Sequence, residues 1–94
     1  MGVIVENLKM EECKISVDVS DTKNEGVKAT ITAEIKGYQK TLKKENVKLY
    51  VEREKIIFDD TPTELGGVRV VTVILKAADG RSDNQTKPLY FCSK

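Results

Sequence analysis

Residues 27 to 35 read Val-Lys-Ala-Thr-Ile-Thr-Ala-Glu-Ile, apolar and polar by turns from end to end. Successive side chains of a β-strand point to opposite faces, so period two builds a strand with one buried and one wet face. It cannot build an amphipathic helix. Val27, Ala29, Ile31, Ala33 and Ile35 form the inward set, and Gly37 ends the run. Upstream, Cys13, Ile15, Val17 and Val19 alternate with Lys14, Ser16, Asp18 and Ser20. Turn formers from Asp21 to Gly26 separate the two strands.

The same reading continues along the chain. Tyr38 to Asn46 is polar around Leu42 and reads as a loop or an irregular edge. Val47, Leu49 and Val51 alternate with Lys48 and Tyr50, and Ile56 to Phe58 is a short strand. A helix over residues 41 to 54 is the rival, but β-branched residues at period two favour a strand. Pro62 has no N–H to donate and belongs in a loop or at an edge. Val68 to Leu75 is apolar on both faces, as in a central strand covered on both sides. Ala78 to Arg81 is a turn, the polar stretch through Thr86 a loop, and Pro88 to Cys92 the closing strand. Residues 3 to 5 add a short edge strand. The prediction is one all-β domain over residues 1 to 94, an antiparallel β-sandwich of about seven strands.

The run from Val71 to Gly80, followed by a polar loop and a last strand, resembles the final two strands of fibronectin type III-like and other immunoglobulin-like modules. Val71 stands where fibronectin type III domains commonly carry Tyr, and the chain has no Trp. The resemblance implies an immunoglobulin-like Greek key and a binding or spacer module of a surface or structural assembly. It tilts the expected location towards the cell exterior, although the start lacks the basic region and apolar core of a signal peptide. In such sandwiches the first and last strands run parallel where they pair. Cys13 begins its predicted strand and Cys92 ends its own, an offset too large for the roughly 6 Å Cα separation of a disulfide. Two reduced thiols are expected, with a disulfide stapling first strand to last as the alternative.

Sixteen basic residues oppose fifteen acidic ones, for a net charge of +1, so no global field draws the chain to nucleic acid or an anionic membrane. No apolar run approaches the roughly 20 residues of a membrane helix. Histidine is absent, which removes the commonest general base and metal ligand. There is no Gly-rich phosphate loop, nucleophile elbow or Cys paired with a base, so no enzymatic activity and no cofactor are expected. Asp18, Asp21, Asn24 and Glu25 surround one turn and Asp59-Asp60 another. Without calcium-loop spacing these are turn chemistry, and no metal site is expected. Lys40, Lys43, Lys44 and Lys48 form a local basic patch that Glu45 interrupts, a solvated edge with no aromatic row for nucleic acid. Asn84-Gln85-Thr86 is a glycosylation sequon in the predicted loop.

One surface invites a function. With Val71, Val73, Leu75 and Ala77 inward, Val70 and Ile74 point out. With Val47 and Leu49 inward, Tyr50 points out, and with Leu89 and Phe91 inward, Tyr90 does. Tyr50, Val70, Ile74 and Tyr90 then form an exposed apolar patch, a candidate contact for a protein partner or for a second copy in a homodimer. Strand addition at an open edge is a second mode of binding. A different reading makes the chain a small inhibitor or regulator that presents the Asp59–Gly67 and Asp79–Thr86 loops to an enzyme.

Overall fold

A computed structural model describes residues 2 to 93; Met1 and Lys94 of the predicted domain lie outside them. The described chain is all β. Seven strands are β1 (Val3–Glu11), β2 (Lys14–Asp21), β3 (Lys28–Ile35), β4 (Thr41–Lys48), β5 (Glu54–Phe58), β6 (Gly67–Ala77) and β7 (Ser82–Phe91). They form two antiparallel sheets, ordered β1-β2-β5 and β4-β3-β6-β7. Residues 41 to 54 contain no helix. One apolar core draws on both sheets: Ile15, Val17 and Val19 of β2 and Phe58 of β5 share it with the inward sets of β3 and β6. The alternation of residues 27 to 35 is thus realised, with Ala29, Ile31, Ala33 and Ile35 buried and Val27 packed against the core.

Two strands are longer than their sequence pattern suggests. β1 runs to Glu11 because a bulge between Glu6 and Lys9, with Asn7 at φ 56°, resets the inward set from Val3 and Val5 to Leu8. The broken alternation hides the strand. β7 begins at Ser82, so residues 82 to 86 are strand and not loop, and Asn84 of the sequon stands exposed opposite Ile74. Its first half is polar because two of its side chains serve β1 and not the core. Asp83 Oδ2 accepts from Val5 N–H at 2.8 Å and Gln85 Oε1 from Leu8 N–H at 3.1 Å. These bonds satisfy donors that an edge strand would otherwise leave open.

β4 is an edge strand over Thr41–Lys48, where a loop or irregular edge was expected. Its register against β3 shifts between Ala29 and Ile31, and Asn46 at φ 57° sits in that bulge. Only Leu42 is fully buried there and Val47 partly, so its composition resembles that of a loop. The strand predicted over Val47 to Val51 ends instead at Lys48, and the chain crosses to the other sheet through Tyr50, whose carbonyl accepts from Asp21 N–H at 2.8 Å.

β6 lies between β3 and β7 but is covered on one face only: Val68 is 65% and Val70 40% exposed. The continuous apolar run is therefore not the mark of a doubly covered strand.

The cysteines correct a further expectation. Cys13 and Cys92 form a disulfide, with a Cα separation of 5.6 Å. Parallel first and last strands would indeed keep the start of one from the end of the other. Cys13, however, does not begin the first strand. It sits in the Glu12–Cys13 turn that ends β1, while Cys92 directly follows β7. The bonds from Val5 to Asp83 and from Leu8 to Gln85 show β1 and β7 rising together, so their ends meet.

Candidate protein-binding face

The outer face of the four-stranded sheet follows from its register. From one end to the other, Lys48 stands beside Lys28; Thr30 beside Lys76 and Ser82; Lys43 beside Thr32, Ile74 and Asn84; Thr41 beside Glu34, Thr72 and Thr86; Val70 beside Pro88; and Val68 beside Tyr90. The face divides into two halves. Around Val68, Val70, Pro88 and Tyr90 it is apolar, and Tyr90 is 73% exposed. Around Thr30 and Thr32 it sinks into an open concavity walled by Lys28, Lys43 and Lys76. Between the halves, the Thr72 and Thr86 hydroxyls hydrogen-bond at 3.0 Å.

Val70, Ile74 and Tyr90 all lie on this face, as their parity predicts. Ile74 is half-buried against its neighbours. Tyr50 does not join them. It is 37% exposed, but it lies in the crossing between sheets, beyond the end of β4 and beside the end of β2. Its predicted orientation rested on a strand that stops two residues earlier. Sequence reasoning missed Val68 and Pro88, although the β6 alternation runs back through Val68. It also missed that Lys28, Lys48 and Lys76 converge, because the pairing that joins them is set by the β4 bulge.

The opposite face, on β1-β2-β5, is differently built. Lys55 pairs with Glu11 at 2.8 Å, Lys14 with Asp59 at 3.2 Å and Arg53 with Glu6 at 3.7 Å. The Lys55 ammonium holds the Glu11 carboxyl below its ordinary range, and Glu11 raises Lys55 in return. These three pairs join opposite charges at short range, which reduces the field that face offers a partner.

A buried ion pair fixes one end of the candidate face. Asp21, at the end of β2, is wholly buried, and Arg81 reaches it from the β6–β7 turn. Arg81 Nη1 donates to Asp21 Oδ1 at 2.9 Å and Nη2 to Oδ2 at 2.5 Å, a bidentate fork. Lys23 and Asn24 N–H also donate to Oδ1, and Arg81 Nε donates to Asp79 Oδ2 at 2.8 Å. Gly80, at φ 94°, lets the turn close so that Arg81 can point back. The Arg81 hydrogen bonds hold the Asp21 carboxyl far below the carboxylate range and Asp79 lower as well, while both carboxylates raise Arg81. Asp21 is thereby committed to the fold. Among the described residues, no group of three or more acidic or Cys side chains is placed to hold a metal.

Of the loops at the ends, the one after β5 is anchored. Thr61 Oγ donates to Phe58 C=O at 2.6 Å and accepts from Ile15 N–H at 3.0 Å. The β6–β7 connection spans only residues 78 to 81. No family model, curated protein or solved structure matches the chain.

Proposed function

We propose that this chain is a non-catalytic protein-binding module, an immunoglobulin-like Greek-key sandwich that meets its partner through the outer face of β4-β3-β6-β7. The strand order supports the Greek key, because β3 and β4 leave the sheet that holds β2 and β5 and pair with β6 instead. The observation that carries the binding reading is the apolar half of the face. Val68 and Tyr90 are paired directly across β6 and β7 and are 65% and 73% exposed, with Val70 and Pro88 adjoining. A contiguous apolar patch centred on Tyr and rimmed by charge is the composition of a protein contact.

Strand addition is the weaker mode. Of the four edges, β1 has edge donors already bonded to Asp83 and Gln85, β4 is bulged and lysine-rich, β5 has only five residues, and β7 is interrupted by Pro88, which has no N–H to donate. The Cys13–Cys92 disulfide favours an oxidising compartment, such as the cell exterior.

The test is site-specific photo-crosslinking in the native host, with the crosslinker at position 70 or 90, and at Ile57 on the opposite face as control. Protein adducts from positions 70 and 90 but not from 57 are expected. Adducts from position 57 alone would overturn the assignment of the face.

A further inference from the structure

We infer that the partner of this face is an acidic polypeptide segment that also carries apolar side chains. The inference rests on the reading of the face as a protein contact and goes on to name what it contacts. In the concave half, Lys28, Lys43 and Lys76 surround Thr30 and Thr32 with one lining carboxylate, Glu34. Lys48 adds a fourth ammonium beside Lys28. None of the ion pairs among the described residues includes any of these four lysines. On the opposite face, Lys14 and Lys55 are each paired with a carboxylate.

The positions of Lys28 and Lys48 make a second point. They are direct partners across β3 and β4, where like charges oppose folding and a glutamate at either position would favour it. A placement that works against the fold, on the face whose other end is the exposed apolar strip, is what a surface kept for an external counter-charge looks like.

The two halves together select the partner. Carboxylates of an incoming segment meet the lysines and hydroxyls of the concavity, and its apolar side chains cover Val70 and Tyr90. A uniform polyanion would satisfy the first half and leave the second wet. A second copy of this chain would bring the same positive excess against it, which like-charge repulsion disfavours.

The experiment is selection from a random-peptide display library against the disulfide-bonded protein. Amide shift mapping of the selected peptides follows, with heparin and oligothymidylate as competing probes. Peptides that mix Asp or Glu with large apolar residues are expected to perturb β3 and β6. Their affinity should fall steeply as salt rises, and by about tenfold in Lys48→Glu, the effect expected for a rim charge and its counter-charge. Lys48→Glu keeps the fold, since it turns a like-charge pair into an opposite one, so its loss of binding is not a loss of structure. Selected peptides that map to this face but are neutral or basic would overturn the acidic partner and leave the face a contact. Peptides that map elsewhere, or none at all, would overturn both. Heparin or oligothymidylate binding more tightly than any peptide, unchanged by Tyr90→Ser, would overturn the inference in favour of a polyanion.

Discussion

The two sheets are fastened to each other at both ends, and the two fastenings are made of different chemistry. At one end Arg81, from the β6–β7 turn, forks onto buried Asp21 of β2. At the other, Cys13 of the β1–β2 turn is bonded to Cys92 after β7. Both join the β1–β2 hairpin to the strand that closes the four-stranded sheet. One fastening answers to pH and the other to redox potential. The comparison teaches that a chain of this size, with a modest core, ties its most distant segments together by whatever local chemistry each end provides.

Reduction should expose the difference most strongly. The disulfide closes a loop with a sequence separation of 79 residues. In the chain-entropy account, losing a bond that closes so long a loop costs about 4.5 kcal/mol. Reduced protein, or Cys13→Ser with Cys92→Ser, should therefore show a large fall in the urea midpoint. The size of that fall should be the same at neutral and mildly acidic pH. A fall that varied with pH would mean the two ends are coupled.

Acid should act on the other end. The folded Asp21 carboxyl lies below its unfolded value of about 3.8, so its stabilisation is complete above that pH. It is lost as pH falls from about 4 towards the folded value, because the unfolded chain then takes up the proton first. Asp79, also lowered, loses its smaller share over the same range. Asp21→Asn leaves Arg81 facing an uncharged amide in a buried site, and should lower the melting temperature markedly at pH 7. The gap between variant and wild type should begin to close below about pH 4 and go on closing as pH falls towards the folded value. A gap that stayed constant from pH 4 to pH 2 would show that Asp21 acts through packing and not through its charge.

The third effect is smaller and of opposite sign. The β1–β2 turn holds Glu12 at φ 50° and Cys13 at φ 66°, left-handed positions where hairpins prefer Asn and Gly. Glu12→Gly should stabilise the protein by about 1 kcal/mol, since a non-glycine residue there carries roughly that strain. The gain measured in denaturant should persist once the disulfide is reduced, because the β1–β2 ladder on either side, from Glu11 and Lys14, still imposes the turn.

How much of this was legible before the fold was known depends on whether a residue's partner shared its pattern. Strands β2, β3 and β6 declare themselves, because each lays an unbroken inward set on the core, from Ile15 to Val19, Ala29 to Ile35 and Val71 to Ala77. β1 and β4 do not, because bulges at Asn7 and Asn46 interrupt the period. The first half of β7 is silent for another reason: Asp83 and Gln85 bond to a backbone remote in sequence and so appear as loop residues. Asp21 read as turn chemistry, and it does accept from Lys23 and Asn24. Its fork to Arg81, sixty residues away, left no mark in either local sequence. The same limit governed the candidate face. Val70, Ile74 and Tyr90 followed from strand parity, whereas Tyr50 and the lysine cluster depended on where β4 bends and stops.

The smallest predicted effect sharpens the comparison between the ends by asking whether the electrostatic end is optimised. Lys28 and Lys48 face each other close to the Arg81 turn, where Ala78 N–H donates to Lys28 C=O at 2.8 Å. Replacing a like-charge cross-strand pair with an opposite one is worth about 0.5 kcal/mol. Lys48→Glu should therefore raise the denaturation midpoint slightly at low salt, and the gain should vanish at high salt, where exposed charges are screened. The disulfide end offers no such salt-dependent improvement. A gain that survived high salt would point to side-chain packing or strand propensity in place of charge, and a loss would mean that Lys48 has a structural partner. If the gain appears and is screened, this end of the fold carries a small and removable electrostatic penalty. That penalty sits on the side of the molecule where an acidic partner would relieve it.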